Sequence, residues 1–167
     1  MLKLAVNLSS HQFSHGDIAL TVQHILEETG FPAHLLELEL TESAIMANES
    51  SAFDTLLTLH QLGIQLAIDD FGTGYSSFSY LKKYRLDVLK IDKSFIDDVP
   101  LDNESNEIVS AIISMARVLK LKTLAEGVEE AEQLEFLRAH GCDYYQGYYC
   151  SKPLPAAEFE QLVRSRF

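Results

Sequence analysis

The chain is short of positive charge, nearly free of cysteine and without a long apolar run, and each shortage removes a class of protein. Thirteen Lys and Arg stand against 25 Asp and Glu in 167 residues, a formal net charge of −12. Such a chain repels polyanions unless cations intervene, so duplex DNA and anionic membrane are poor partners, and an anionic substrate needs metal ions to bind. The two cysteines, Cys142 and Cys150, form no Cys-x-x-Cys pair and have no histidines at zinc spacing. That pattern suits a reducing, cytoplasmic setting. No segment approaches the roughly 20 apolar residues that cross a bilayer, and Met1-Leu2-Lys3-Leu4-Ala5-Val6 is too short and too quickly polar for a signal peptide. No Pro-, Gly- or Ser-rich linker, low-complexity tract or sequence repeat divides the chain, so one domain is expected over residues 1–167. With 47% of positions apolar, it has the mass for a core without a disulfide or structural metal.

What is present is an alternation of short β-rich runs with longer stretches of helical period. The strand-like runs are Lys3–Leu8, Leu36–Leu40, Gln65–Asp69, Val88–Ile91, Lys122–Ala125 and Asp143–Tyr148. Ile18, Val22, Ile25 and Leu26 share a helical face before Gly30, and Phe53, Leu56, Leu57 and His60 share one before Gly63. Ile108, Val109, Ile112, Ile113, Ala116 and Leu119 follow the capping residues Asn103-Glu104-Ser105, and further helices are expected over Glu130–Ala139 and Glu158–Val163. Ser76–Arg85 is expected to make one or two helical turns. Parallel strands joined by right-handed crossovers give either an open doubly wound sheet or a (β/α) barrel.

The strand ends favour the barrel. In order they carry Asn7, Glu39 with Glu42, Asp69 with Asp70, Lys90 with Asp92, Glu126, and Gln146. A barrel brings all its strand ends to one mouth, whereas an open sheet uses only those at a switch point. A complete barrel takes eight strands and about 250 residues, so an incomplete α/β TIM-like barrel of about six βα units is expected.

Each residue also admits a plainer role. Asp69-Asp70 could direct carboxylates to two metal ions, or could be a turn residue followed by a helix cap. Its continuation into Phe71-Gly72 matches the Asp-Phe-Gly of protein kinases, but no kinase Gly-rich loop or His-Arg-Asp loop accompanies it. Alternation points Glu37 and Glu39 inward, which is costly unless they are paired or on a metal; a surface strand is the alternative. Lys90 also points inward and needs an acidic partner, Asp92 or Asp69. Glu126, before Gly127, could accept a proton from water or ligate a metal. Tyr144, Tyr145, Tyr148 and Tyr149 could stack on a nucleobase or pack the sheet, and the six histidines read as structural. Asn7, Glu39, Asp69 and Asp70 supply oxygen donors without His or Cys, which selects hard ions such as Mg²⁺ or Mn²⁺. Two such ions suit phosphodiester hydrolysis.

The chain resembles the EAL domain, the bacterial phosphodiesterase that linearises cyclic di-GMP. The resemblance rests on Val6-Asn7-Leu8-Ser9, Glu39-Leu40-Thr41-Glu42-Ser43, Asp69 through Ser77, Lys90-Ile91-Asp92, Ala125-Glu126-Gly127-Val128-Glu129 and Gln146-Gly147-Tyr148, in family order across nearly the whole chain. It implies that Asn7, Glu39 and Asp69 are metal ligands and that Asp70 serves a second metal. It implies that Glu126 is the general base or a second-site ligand, and that Lys90 orients water or phosphate. Glu42 would hold the loop that includes Asp70, Phe71, Gly72, Thr73, Gly74, Tyr75 and Ser76, which in the family couples substrate and metal binding to dimerisation. Asp92 and Gln146 would complete the mouth. The family's Glu-Ala-Leu tripeptide is absent, so the chain is expected to be the C-terminal two-thirds of such a domain, with unpaired edges at its first and last strands. A homodimer and an upstream diguanylate cyclase or sensor module are the implied partners besides cyclic di-GMP. A non-catalytic cyclic di-GMP-binding module, or an inactive fragment, is the alternative.

Overall fold

The structure, a computed structural model, describes residues 2–14, 17–47, 49–72, 81 and 83–166. Its elements in chain order are β1 (Leu4–Leu8), α1 (Ser10–Ser14), α2 (Ile18–Thr29), a 3₁₀ turn (Ala33–Leu35), β2 (Leu36–Thr41), α3 (Glu42–Met46), α4 (Glu49–Gln61) and β3 (Gln65–Phe71). After these come β4 (Val88–Ile91), α5 (Lys93–Ile96), α6 (Asn103–Val118), β5 (Lys122–Ala125), α7 (Ala131–His140), β6 (Tyr144–Tyr145) and α8 (Ala156–Arg166).

All six strands are parallel and neighbour one another in chain order, β1-β2-β3-β4-β5-β6. That order has no switch point, so the doubly wound alternative falls and the chain forms a curled, incomplete TIM-like barrel. The register pairs Leu4, Val6 and Leu8 with Leu36, Leu38 and Leu40, and Leu38 and Leu40 with Leu66 and Ile68. This is the outer face, covered by helices except at β1, where Leu4 and Val6 are exposed. Leu40, Leu66, Leu89 and Ile91 are essentially fully buried there, with Leu56 and Leu59 of α4, Val109 and Ile113 of α6, and Leu137 of α7 completing the core. Burying one such side chain contributes about 1.5–3 kcal/mol, so the outer face supplies most of the driving force and leaves the inner face free to carry polar groups.

The helices begin and end where local chemistry dictates. Asp17 accepts the Leu20 amide at 3.1 Å and Gly30 closes α2 in the left-handed region, satisfying orphaned backbone groups. The cap of α6 is Asp102, one residue before the expected Asn103, accepting the Ser105 amide at 2.7 Å. Its apolar stripe, Val109, Ile112, Ile113 and Ala116, lies buried at i, i+3, i+4, i+7 spacing.

Strand bounds differ from expectation in four strands, β2 running one residue past Leu40 to Thr41. β1 starts at Leu4 rather than Lys3. β3 runs on to Phe71 through a register shift against β4 between Ile68 and Phe71. β6 is only Tyr144–Tyr145, because beyond it the chain turns around Val128, whose amide donates to the Gln146 carbonyl and whose carbonyl accepts the Tyr149 amide. The short helix expected over Ser76–Arg85 falls largely outside the described residues.

Candidate active site

The inner face carries the chemistry. On β2, alternation turns Glu37 and Glu39 inward, and each is only 7% exposed. The register sets Asn7 beside Glu39 and Thr41 beside Asp69, while Lys90 on β4 is 3% exposed. The Lys90 ammonium therefore lies inside the half-barrel, where it meets three carboxylates from three strand ends: Glu39 Oε2 at 2.7 Å, Glu126 Oε1 at 2.8 Å and Asp69 Oδ1 at 3.1 Å. Asp69 is the partner expected for Lys90. Asp92, the other expected partner, caps α5 instead, accepting the Ser94 amide at 3.0 Å and its hydroxyl. Glu39 and Glu126 as additional partners were invisible in the sequence, because they lie 51 and 36 positions from Lys90 and meet it only once strand order is known.

One positive charge against three negative ones leaves an excess of two at the mouth. The titration behaviour reflects it. Burial alone would lower Lys90, but hydrogen bonds to Glu126 and Glu39 overcome this and hold the ammonium protonated far above the ordinary lysine range. Burial raises Glu126 despite Lys90, with Asp69 and Glu39 adding to the rise. Asp70 is raised by desolvation and then by Asp69 and Asp92. Glu37, one residue pair deeper, is raised by burial and by Glu39. A buried cluster that repels itself is a place where further cations bind favourably.

The Asp69-Asp70 step is built by strained backbone. Asp70 has φ 54°, a left-handed conformation rare outside glycine, and it coincides with the register shift of β3. The Asp70 amide donates to Asp69 Oδ1 at 3.1 Å, and consecutive carboxylates leave the strand in different directions, Asp69 toward Lys90 and Asp70 into solvent. Beyond them Phe71 is buried in the core at 5% exposure, and a side chain on Gly72 would crowd the Phe95 ring. Thr73, Gly74, Tyr75 and Ser76 lie outside the described residues.

Glu42 opens α3 and faces a small recess with Ile45, Met46, Ile68, Leu81 and Tyr84. Gln146 is set by its backbone, its amide donating to the Ala125 carbonyl at 2.8 Å and its carbonyl accepting the Val128 amide at 3.0 Å. Lys93 lies outside the motifs of the sequence, and Glu129 ends one of them with no expected role. Their ion pair at 2.6 Å ties the start of α5 to the segment after Glu126, and Gly127 lacks the Cβ that would overlap the Lys93 stem.

Among the described residues, no three His, Cys, Asp or Glu side chains stand preformed as a metal cage, since Glu39, Asp69 and Glu126 close on Lys90. Their chemistry fits a hard divalent ion nonetheless: oxygen donors only, with surplus negative charge and a neutral amide, Asn7, at the adjoining register position.

Strand order, the polar inner face and the acidic strand-end cluster define an incomplete TIM-like barrel whose mouth carries the donor chemistry of a hard-metal site. The chain belongs to the EAL domain family, matched over residues 1–153. It is 47% identical over 164 residues to the cyclic di-GMP phosphodiesterase NbdA of Pseudomonas aeruginosa, covering 98% of this chain and 21% of that protein. Among solved structures, the PaMucR phosphodiesterase in complex with c-di-GMP superposes with a TM-score of 0.90 at 41% identity, over 94% of this chain and 64% of that one. The manganese and cyclic di-GMP complex of Klebsiella pneumoniae BlrP1 gives 0.83 at 30% identity, over 90% of this chain and 39% of that one. The chain spans about a fifth of the length of the curated relatives it matches.

Proposed function

We propose that this chain carries the catalytic mouth of a cyclic di-GMP phosphodiesterase that hydrolyses one phosphodiester bond to give linear pGpG. The observation that carries the reading is the buried Lys90 ammonium held by Glu39, Asp69 and Glu126, with two negative charges in excess. A bis-phosphate substrate would be repelled by that mouth alone. Divalent ions, Mg²⁺ or Mn²⁺, reconcile the two, with Asn7, Glu39, Asp69, Asp70 and Glu126 as the residues to hold them. Bound there, such ions supply Lewis acidity at the phosphate and acidify a water molecule.

The chain's own residues do the rest. Glu126, kept more basic than an ordinary carboxylate by burial, accepts the proton of the attacking water. The water oxygen bonds to phosphorus, the bond to the ribose 3′ oxygen breaks, and that oxygen leaves with a proton from solvent. Lys90, permanently charged, orients the water or a phosphate oxygen. Glu42, Asp92 and Gln146 shape the rim with the loop after Asp70. We place the domain in the cytoplasm, working as a homodimer and as one module beside a sensor or diguanylate cyclase. The modular placement is supported by much longer relatives that include the bifunctional diguanylate cyclase/cyclic di-GMP phosphodiesterase MucR; no described helix is long and apolar enough to cross a membrane.

The test is chromatographic: purified chain with cyclic di-GMP in Mg²⁺ or Mn²⁺, beside Asp69→Asn. Linear product that disappears in the variant is expected. Folded protein that binds the dinucleotide but makes no product would reduce the chain to a binding module.

A further inference from the structure

At the opposite end of the sheet from the acidic mouth, an open cleft of about 280 Å³ lies between the end of α6 and the turn leading into β6. Three cations line it, Arg117, Lys120 and Lys122, against one carboxylate, Asp143. In a chain with 25 acids to 13 bases, such a concentration is against the statistical grain.

The single acid is already committed. Asp143 accepts from Lys122 Nζ at 2.6 Å, and its other oxygen accepts the backbone amide of Thr123 at 2.9 Å. Arg117 and Lys120 make no ion pair among the described residues. A bland role exists for them, since cations at the C-terminal end of a helix complement its dipole. Arg117 does more than that. Its guanidinium crosses to the α7–β6 turn and donates to the His140 carbonyl at 2.9 Å, lying where any side chain on Gly141 would strike it. That carbonyl uses one edge of a five-donor fork, and the remaining donors stay available. Lys120 is held at the rim by a left-handed backbone, φ 63°, its amide bonded to the Arg117 carbonyl at 3.1 Å.

We propose that this cleft is a binding site for a small phosphate-bearing anion, gripped by the Arg117 fork and the Lys120 ammonium. Planar guanidinium and point-charge ammonium together are the usual recognition pair for phosphate oxygens. The volume, about 280 Å³, is just below the usual range for ligand pockets, about 300–1,000 Å³, and so suits one or two phosphate groups rather than a dinucleotide. The site is separate from the mouth: four residue steps along extended β5, roughly 13 Å, lead from Lys122 to Glu126.

Isothermal titration of the 167-residue chain with inorganic pyrophosphate tests this, run in EDTA so that no metal can draw the probe to the acidic mouth. Saturable one-to-one binding that weakens with added salt is expected, and it should fall roughly tenfold or more in the double variant Arg117→Gln, Lys120→Gln, the scale of losing charge-assisted hydrogen bonds. If circular dichroism shows the double variant misfolded, Lys120→Gln alone decides, because that side chain is exposed; a loss of about threefold or more is expected. Heat matched by sodium chloride of equal ionic strength would overturn the proposal. So would binding of undiminished affinity in the folded variants.

Discussion

Replacing Lys90 by Met separates the electrostatics of the mouth from its packing, since Met keeps the unbranched stem and removes the ammonium. The three contacts, at 2.7, 2.8 and 3.1 Å, each represent a gross attraction of about 5–6 kcal/mol at an effective dielectric near 20. Mutual repulsion of the three acids and the desolvation of the ammonium oppose that sum. What remains on deletion is the penalty of uncompensated buried charge, about 3–5 kcal/mol, and that is the expected loss at pH 7 in urea unfolding followed by far-ultraviolet circular dichroism in EDTA. The pH dependence follows from sign. Burial already raises Glu126 and Lys90 opposes that rise, so without Lys90 the carboxyl would titrate further above its unfolded value, the folded variant would hold more protons than the unfolded chain, and its stability would drop as pH rises. The deficit against the parent should therefore be small near pH 4 and full by pH 7. Mn²⁺ should restore the variant by about 2.7 kcal/mol at a hundredfold excess over its dissociation constant. A deficit under about 1 kcal/mol, flat from pH 4 to 7 and indifferent to Mn²⁺, would refute the charge argument.

Other consequences are equally concrete. Glu126→Gln should keep the fold, monitored by circular dichroism, yet lower pGpG formation by about 10²-fold or more, the scale of a lost general base; retained turnover would remove Glu126 from its role. Gly147→Ala would drive a Cβ into the backbone of Val128 and should destabilise the chain by about 1–3 kcal/mol, read from thermal unfolding. Burial would raise the Asp143 carboxyl, but hydrogen bonds from Lys122 and Thr123 hold it below the usual range. Its contribution is thus complete above its unfolded pKa and lost as pH falls through the folded one, and Asp143→Asn should flatten the acid limb of a stability–pH curve while costing about 1 kcal/mol at neutral pH. Finally, β1 is an edge of the described sheet, with Leu4 and Val6 51% and 41% exposed on its outer face. The isolated chain should self-associate through it, and light scattering should show Val6→Lys to be more monomeric; a monodisperse parent monomer would contradict this.

Much of the fold was legible because two periodicities are strong in this chain. The two-residue alternation of Leu36-Glu37-Leu38-Glu39-Leu40 placed Glu39 inside before any strand order was known, and the 3.6-residue stripe of Val109, Ile112, Ile113 and Ala116 placed α6 outside. Positions that depend on close approach rather than period were misjudged. β6 ends after Tyr145 because Gly147 brings the chain against Val128, and Asp92, in sequence a plausible partner for Lys90, turned to cap α5 because Ser94 offers both an amide and a hydroxyl within reach.

The same distinction accounts for the site. Residue types at the strand ends were readable one by one, but their coupling was not. That Lys90 answers Glu39, Asp69 and Glu126 at once requires β2, β3, β4 and β5 to be consecutive neighbours, and no local pattern encodes that. Once they are, the excess of carboxylate over ammonium follows from counting side chains on one face. On the proposed function, an acidic chain with an anionic substrate is no paradox: the net charge of −12 repels phosphate over the surface at large, while divalent cations held by the strand-end acids would reverse the sign locally. Lys90 is the counter-charge that lets three carboxylates from three strands share one half-buried pocket, which is why its loss should be felt in stability first and, on the proposed function, in catalysis as well.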